Sequence, residues 1–384
     1  MAQFFELKIT QHIVRLISLV LLAHIFLSWR LWAAGPARTF PLVPLWGMPF
    51  QLPDVWAAWQ AWFLVLLAAL TVLFPANKGL LAILVGWVLC LVAQDLNRLQ
   101  PWLYFYTLCW GILLSGTARS KASTLAALRL TVAAVYVWGG LNKLTPYFAV
   151  DNFPWFCEAF TWTKPLGAFP VAGYAVAVAE FLFGVGLLWR QSRRLFRWLV
   201  VAFHLFILAA LSPLGLHWNT IVIPWNLAMA AMVWLLFEAR EMSAVWLMGK
   251  KTGKNRLVFG TILALAWCMP ALNILHCWDE PLSWKMYSNT QTEASFQGVP
   301  CPGATAIWQR YAFDDGRKLL LDDWSMEELH VPVYNDRGVF RRIAHYLCQC
   351  ADQPDSAGLY LLTVQRWNRS AESWEIIPCN QLAR

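Results

Sequence analysis

Apolar runs recur along the first three quarters of the chain, at residues 13–33, 57–74, 79–95, 101–116, 123–141, 171–189, 196–212, 220–238 and 257–275. Each holds about 16–21 residues, close to the ~20 that a helix rising 1.5 Å per residue needs to cross a bilayer. The pattern predicts a multi-pass α-helical membrane protein of nine transmembrane helices. Runs 79–95 and 101–116 are short and separated by Gln100-Pro101, a spacing that also fits re-entrant or strongly tilted segments. The first run precedes a small-residue stretch, Ala33-Ala34-Gly35, but is longer than a signal-peptide core and reads as a retained anchor.

Past Pro281 the pattern changes. AIWQRYAF, RKLLL, LHVPVY, LYLLTVQRW and SWEIIPC read as short strands, punctuated by turn signals at Asp314-Asp315-Gly316 and Asn335-Asp336-Arg337-Gly338. Arg337 to Cys350 places Val339, Phe340, Ile343 and Leu347 on one helical face. The expected organisation is a polytopic transmembrane domain over residues 1–280, followed by a small soluble α+β or β-rich domain over 281–384.

Composition agrees with a membrane chain. Hydrophobic residues make up 59% and charged residues 14%, against the ~25% charged of soluble domains. Many of the 25 Trp stand at the ends of apolar runs, where interfacial belts form. The net charge of +8 lies mostly in short loops and sets topology; it does not point to nucleic acid. With nine alternating spans, one side carries fourteen Lys and Arg and the other five. The positive-inside bias then predicts a cytoplasmic N-terminus and an extracytoplasmic 281–384, periplasmic if the membrane is a bacterial inner membrane. The expected partners are the lipid bilayer and, for the outer domain, an extracytoplasmic protein.

Four of the nine Cys (Cys301, Cys348, Cys350 and Cys379) fall in this outer region, with Cys277 at its root. An oxidising compartment favours one or two disulfides there, and all three pairings of the four remain open. Cys348 and Cys350 at i and i+2 on a helix point apart, which argues against a redox pair. No His lies at ligand spacing beside these Cys, so no metal is predicted. Asn368-Arg369-Ser370 matches a glycosylation sequon, relevant only in a eukaryotic secretory pathway.

Under this topology the polar residues in or near the membrane gather toward the outer side. They are Asp95, Asn97, Arg98 and Gln100 in one turn, Asn142 and Lys143 at a helix end, His217 and Asn219 in another turn, and Asn273, His276 and Asp279 after the last run. Glu180 and His204 lie inside their runs. Such a one-sided accumulation fits a cavity open to the outer leaflet, and intramembrane ionisable groups are functional candidates. The reading makes Lys143 a catalytic base, with Asp95, Arg98, Asn142, Glu180, His217 and Asn219 shaping a cofactor pocket. Gly139 and Gly140 beside it leave room for a flat ring, flanked by Tyr136, Trp138 and Tyr147. The structural alternatives are a snorkelling Lys143, buried ion pairs among Glu180, Asp95 and Arg98, and a His204 that joins two helices by a hydrogen bond.

The stretch AAVYVWGGLNKL, Ala133 to Leu144, resembles the lysine motif of the vitamin K-dependent gamma-carboxylases and their bacterial relatives, the horizontally transferred transmembrane domain family. A Glu-bearing helix ending in LLWRQSRR (Leu187 to Arg194), then FHLFI (Phe203 to Ile207), IPWNLAM (Ile223 to Met229) and LSWKMYS (Leu282 to Ser288), continue the likeness, which covers residues 60–290. Glu180 with the following GVGLLWR also resembles DoxX-type proteins linked to quinone-coupled oxidation. The resemblance implies quinone or hydroquinone as cofactor and carries the role of base onto Lys143. The chain departs from the carboxylases in having no His in its early helices beyond His12 and His24, and in its short outer region. It therefore implies quinone chemistry rather than carboxylation of protein glutamates. The other reading is a non-catalytic membrane scaffold or partner subunit whose outer domain binds a protein.

Overall fold

The structure is a computed structural model. It describes residues 2–33, 35, 38–45, 54–116, 121–238, 253–275, 277–288, 290–298, 304–313, 316–348, 359–368 and 371–382. His276, Cys301, Cys350, the Asp314-Asp315 pair and sequon positions 369–370 lie outside these residues.

All nine apolar runs contain helix. The helices are α1 (Ala2–Leu27), α3 (Asp54–Leu73), α4 (Lys78–Gln94), α5 (Pro101–Ser115), α6 (Lys121–Asn142), α8 (Pro170–Leu188), α9 (Arg193–Leu211), α10 (Val222–Leu236) and α11 (Gly253–Leu263). The last of these runs on through a π-turn at Ala264–Cys268. Short helices α2 (Trp29–Trp32) and α7 (Phe153–Cys157) lie between them. Among the described residues, five stretches are both long and apolar enough to cross a membrane: Lys8–Leu27, Ser123–Asn142, Pro170–Leu188, Arg193–Leu211 and Leu257–Leu275. The expectation of nine spans is thus met only in part. α4 and α10, with 17 and 15 residues, reach only about 26 and 23 Å at 1.5 Å per residue. The outward faces of α8 and α9 are apolar, with Val171, Leu182, Leu195, Trp198 and Leu205 exposed, a surface that lipid rather than water accommodates.

The chain divides into two compact units, one of Met1–Leu27, Phe63–Val88 and Pro101–Asn289, the other of Ser28–Trp62, Leu89–Gln100 and Thr290–Arg384. In the first, the most extensive contact between any two helices is α6 on α8. Small residues make it possible. A Cβ on Gly140 would lie 2.3 Å from the Phe181 backbone nitrogen, and one on Gly184 would lie 2.7 Å from the Ala133 carbonyl oxygen. The two backbones touch where these glycines meet them.

The second unit holds an antiparallel sheet of β1 (Glu293–Gln297), β2 (Lys318–Leu320), β3 (Tyr360–Asn368) and β4 (Ala371–Pro378), in the order β2-β1-β3-β4. Phe296 opposes Leu319 on one side and Leu361 on the other, all buried. Helices α12 (Thr305–Tyr311), α13 (Leu321–Leu329) and α14 (Arg337–Leu347) complete the core with Trp308, Trp324, Phe340 and Ile343. The buried face expected of Arg337 to Cys350 is present over α14. AIWQRYAF is a helix and not a strand, because Ile307, Trp308 and Tyr311 recur at helical spacing. LHVPVY forms no strand either. Pro332 cannot donate to a ladder, and the amides of Val333 and Tyr334 donate instead to the side chains of Asp322 and Asn97. Cys348 and Cys379 form a disulfide that ties the end of α14 to the end of β4.

Asp322 sits at the start of α13, and its Oδ1 accepts from the Val333 amide at 3.1 Å. Burial, reinforced by Glu293 and Asp323 against that hydrogen bond, pushes its carboxyl up to about 7. A carboxyl raised on folding favours the folded state while protonated; that contribution is full below about pH 4 and lost as pH rises through 7. Asp322→Asn is expected to be more stable than the wild type at pH 8. Part of the residue reaches solvent, so the gain is on the order of 1–2 kcal/mol after allowance for screening. Protection factors of the α13 amides in the full chain should show it, with the advantage gone at pH 4.

Candidate functional site

The polar groups that meet inside the first unit come from four helices. Tyr136, Gly139 and Gly140 on α6, and Lys143 in the turn just past its end, follow one another at spacings of three, four and seven. Lys143 Nζ donates to Glu180 Oε1 on α8 at 3.0 Å and lies 2.9 Å from Oε2. Both residues are buried, at 9% and 8% exposure, so the pair takes the place of water for each charge. The Gly139 carbonyl accepts a weaker contact from Nζ at 3.4 Å.

The two glycines have a different use from the one expected. A Cβ on Gly139 would lie 2.6 Å from Glu180 Oε1. The space beside Gly139 is filled by the carboxylate itself, and the space beside Gly140 by the α8 backbone. No flat ring fits there without parting α6 from α8.

A second line of hydrogen bonds starts one turn before Gly140 on α6. Tyr136 and His204 Nε2 on α9 are 2.7 Å apart, and His204 Nδ1 lies 2.8 Å from Asn226 Oδ1 on α10. Asn226 Nδ2 donates to the Val222 carbonyl at 2.8 Å, which assigns Oδ1 as the acceptor. His204 therefore donates from Nδ1, and in its neutral form accepts the Tyr136 hydroxyl proton at Nε2. His204 does join helices by hydrogen bonds, as expected, and it joins three. Glu180 is close enough to Tyr136 to act on it electrostatically. The Lys143–Glu180 pair and the Tyr136–His204–Asn226 hydrogen bonds thus share α6.

The remaining predicted site residues have other partners. Asn142 Nδ2 donates to the Ser283 carbonyl at 2.8 Å, which ties the end of α6 to the segment after α11. His217 is exposed in a turn with φ of 48°. Asn219 Oδ1 accepts from the Ile221 amide at 3.1 Å, just ahead of α10.

Asp95 and Arg98 belong to the second unit. Asp95 pairs with Arg38 at 2.7 Å and also accepts from the Asn97 amide and side chain and from the Val43 amide. Arg98 donates to the carbonyls of Leu31, Leu91 and Trp32. Burial outweighs the nearby Asp95 and brings its guanidinium down to about 10. These two residues do structural work by the contacts they make. Of the expected ion pairing, Glu180 and Asp95 are each paired, though with Lys143 and Arg38 and not with Arg98.

Sequence reasoning passed over two buried groups. Arg129 donates from Nε to the Leu236 carbonyl at the end of α10 at 2.5 Å; as an arginine inside an apolar run it carried a signal. Glu328 is 1% exposed in the second unit and carried none, because DDWSMEEL reads as an ordinary solvated helix. Among the described residues no group of three His, Cys, Asp or Glu is placed to hold a metal ion. No protein-family model, curated protein or solved structure matches this chain.

Proposed function

We propose that this chain is an integral membrane enzyme that exchanges protons with a lipophilic quinone or hydroquinone at the Lys143–Glu180 pair. The observation that carries the reading is that buried pair, with the Tyr136–His204 hydrogen bond on the same helix. Two charges taken out of water cost several kcal/mol each, and packed apolar residues of the same size commonly hold helices together as well or better. An ion pair on one side of α6 and a tyrosine–histidine hydrogen bond on the next favour a chemical use. In this reading the Lys143 ammonium first passes a proton to the Glu180 carboxylate, and the amine so formed takes the proton of a hydroquinone hydroxyl at Nζ. Glu180 then holds the ammonium, and Tyr136 and His204 offer the next positions for proton exchange. The likeness of AAVYVWGGLNKL to the carboxylase lysine motif supports the same residue. The membrane is a bacterial inner membrane in this reading, with residues 281–384 in the periplasm.

One observation favours the alternative, a non-catalytic scaffold. Lys143 and Glu180 saturate one another in the tightest helix seam of the unit, which is what a packing device also needs. The test is quinone turnover by the purified full chain with Lys143→Arg and Lys143→Ala at matched expression. Guanidinium keeps the charge but does not deprotonate, so both variants are expected to be inactive. Full turnover by Lys143→Arg would remove Lys143 as the base, and no turnover by the wild type would leave the scaffold reading in place.

A further inference from the structure

Away from the ion pair, cations gather at the end of the first unit where α8 closes and α9 begins. From Trp189 to Trp198 the chain reads WRQSRRLFRW, with four arginines and no acidic residue. Arg190 and Arg194 are exposed. Arg193 is buried and donates to the Leu187 and Leu188 carbonyls at 2.9 and 3.2 Å, which closes the end of α8. Arg190 is close enough to Arg193 to act on it electrostatically. Arg197, one turn further along α9, lies over the Trp234 ring of α10, its guanidinium carbon 4.1 Å from the ring centroid. It reaches Glu238 at 4.0 Å, the outer limit of an ion pair, and that carboxylate side chain is 56% exposed. Arg197 Nε has no hydrogen-bond partner among the described residues.

A loop that only sets topology can leave its cations free in water. Here two of the four are fixed, Arg193 by carbonyls and Arg197 by an aromatic face, although like charges four residues apart on a helix repel. Fixed guanidinium groups are forks that match the oxygens of a phosphate. The same stretch also exposes apolar side chains, Trp189 at 63%, Leu195 at 59% and Trp198 at 54%. The Trp198 ring stands edge-on to Trp234 at 4.8 Å, beside the ring that carries Arg197. One apolar helix of spanning length ends at Leu188 and the next begins at Arg193, which puts the cluster at headgroup level. A water-soluble anion would use the arginines and leave Trp189, Leu195 and Trp198 bare. An anionic lipid uses both, and being on the surface it needs no internal cavity.

We propose that the α8–α9 turn is a headgroup site for an anionic phospholipid, whose phosphate accepts from Arg190 and Arg194, whose chains lie against Leu195 and Trp198, and whose charge Arg197 helps to balance. The proposal holds for either orientation in the membrane and does not need Lys143 to be catalytic. With the positive-inside orientation, the leaflet is the cytoplasmic one.

The test is native mass spectrometry of the delipidated full chain in non-ionic detergent, titrated with phosphatidylglycerol and with phosphatidylcholine of the same acyl chains. Phosphatidylglycerol is expected to fill a first site about tenfold more tightly than phosphatidylcholine. Arg190→Gln/Arg194→Gln should lose about tenfold for phosphatidylglycerol and nothing for phosphatidylcholine. Both side chains are exposed, so the melting temperature without lipid should stay at the wild-type value. Arg337→Gln/Arg341→Gln, which removes the same charge from two half-exposed arginines of the second unit, should bind phosphatidylglycerol as the wild type does. Equal affinity for the two lipids would overturn the proposal. So would unchanged phosphatidylglycerol binding in Arg190→Gln/Arg194→Gln, or an equal loss in Arg337→Gln/Arg341→Gln. Displacement of phosphatidylglycerol by inorganic phosphate at equal concentration would make the cluster a site for free anions and overturn the lipid assignment.

Discussion

Replacing Lys143 by Met is expected to destabilise the helical unit by about 3–5 kcal/mol, because it strands the Glu180 carboxylate in a site with 8% exposure. Glu180→Leu should cost a similar amount by stranding the ammonium. The double variant Lys143→Met/Glu180→Leu should recover most of the loss, since it removes both desolvation penalties and leaves apolar side chains of similar length. The two singles and the double form a cycle whose coupling term isolates the pair. Thermal unfolding in nanodiscs, or protease resistance of the α6–α8 region, reads it. Independent, additive effects would show that the 2.9 Å and 3.0 Å contacts contribute nothing to folding.

In the second unit the largest loss is expected at Glu328. Its carboxylate accepts from the Thr39 amide and hydroxyl, from the Phe40 amide and Trp324 indole, each at 2.9 Å, and from the Tyr311 hydroxyl at 3.3 Å. Every neighbour is a donor, so each bond is charge-assisted. Glu328→Ala leaves all of them unmet and should cost at least about 3 kcal/mol, as bonds to an ionised group are worth roughly 1.5–3 each and are not additive. Glu328→Gln should cost nearly as much despite its shape, because its amide nitrogen adds a donor to a ring of donors. The expected sign is faster proteolysis and lost amide protection over residues 38–45 in both variants. If the Gln variant matched the wild type, the carboxylate's charge would have no part in holding that segment.

The helices were legible because an apolar run of helical length has few other uses. The partners of the charged residues were not. Lys143 and Glu180 stand 37 positions apart, and Asp95 stands 57 from Arg38. Periodicity places each on a helix or in a turn but does not say which elements meet. Gly139 and Gly140 show the same limit. A glycine pair states that something comes close to the backbone, and α8 filled a space equally suited to a ring. In the second unit AIWQRYAF had strand-forming residues, yet its burial follows a helical face; β1 went unread because a five-residue strand with two buried apolar side chains, Ala294 and Phe296, gives little pattern.

The central claim is that the Lys143–Glu180 pair is kept for chemistry and not for packing. The stabilised double variant tests it most directly, because it separates fold from function. Quinone turnover by Lys143→Met/Glu180→Leu, measured on protein shown by unfolding to be as stable as the wild type, is predicted to be lost. Turnover at the wild-type level in that same folded protein would contradict the claim.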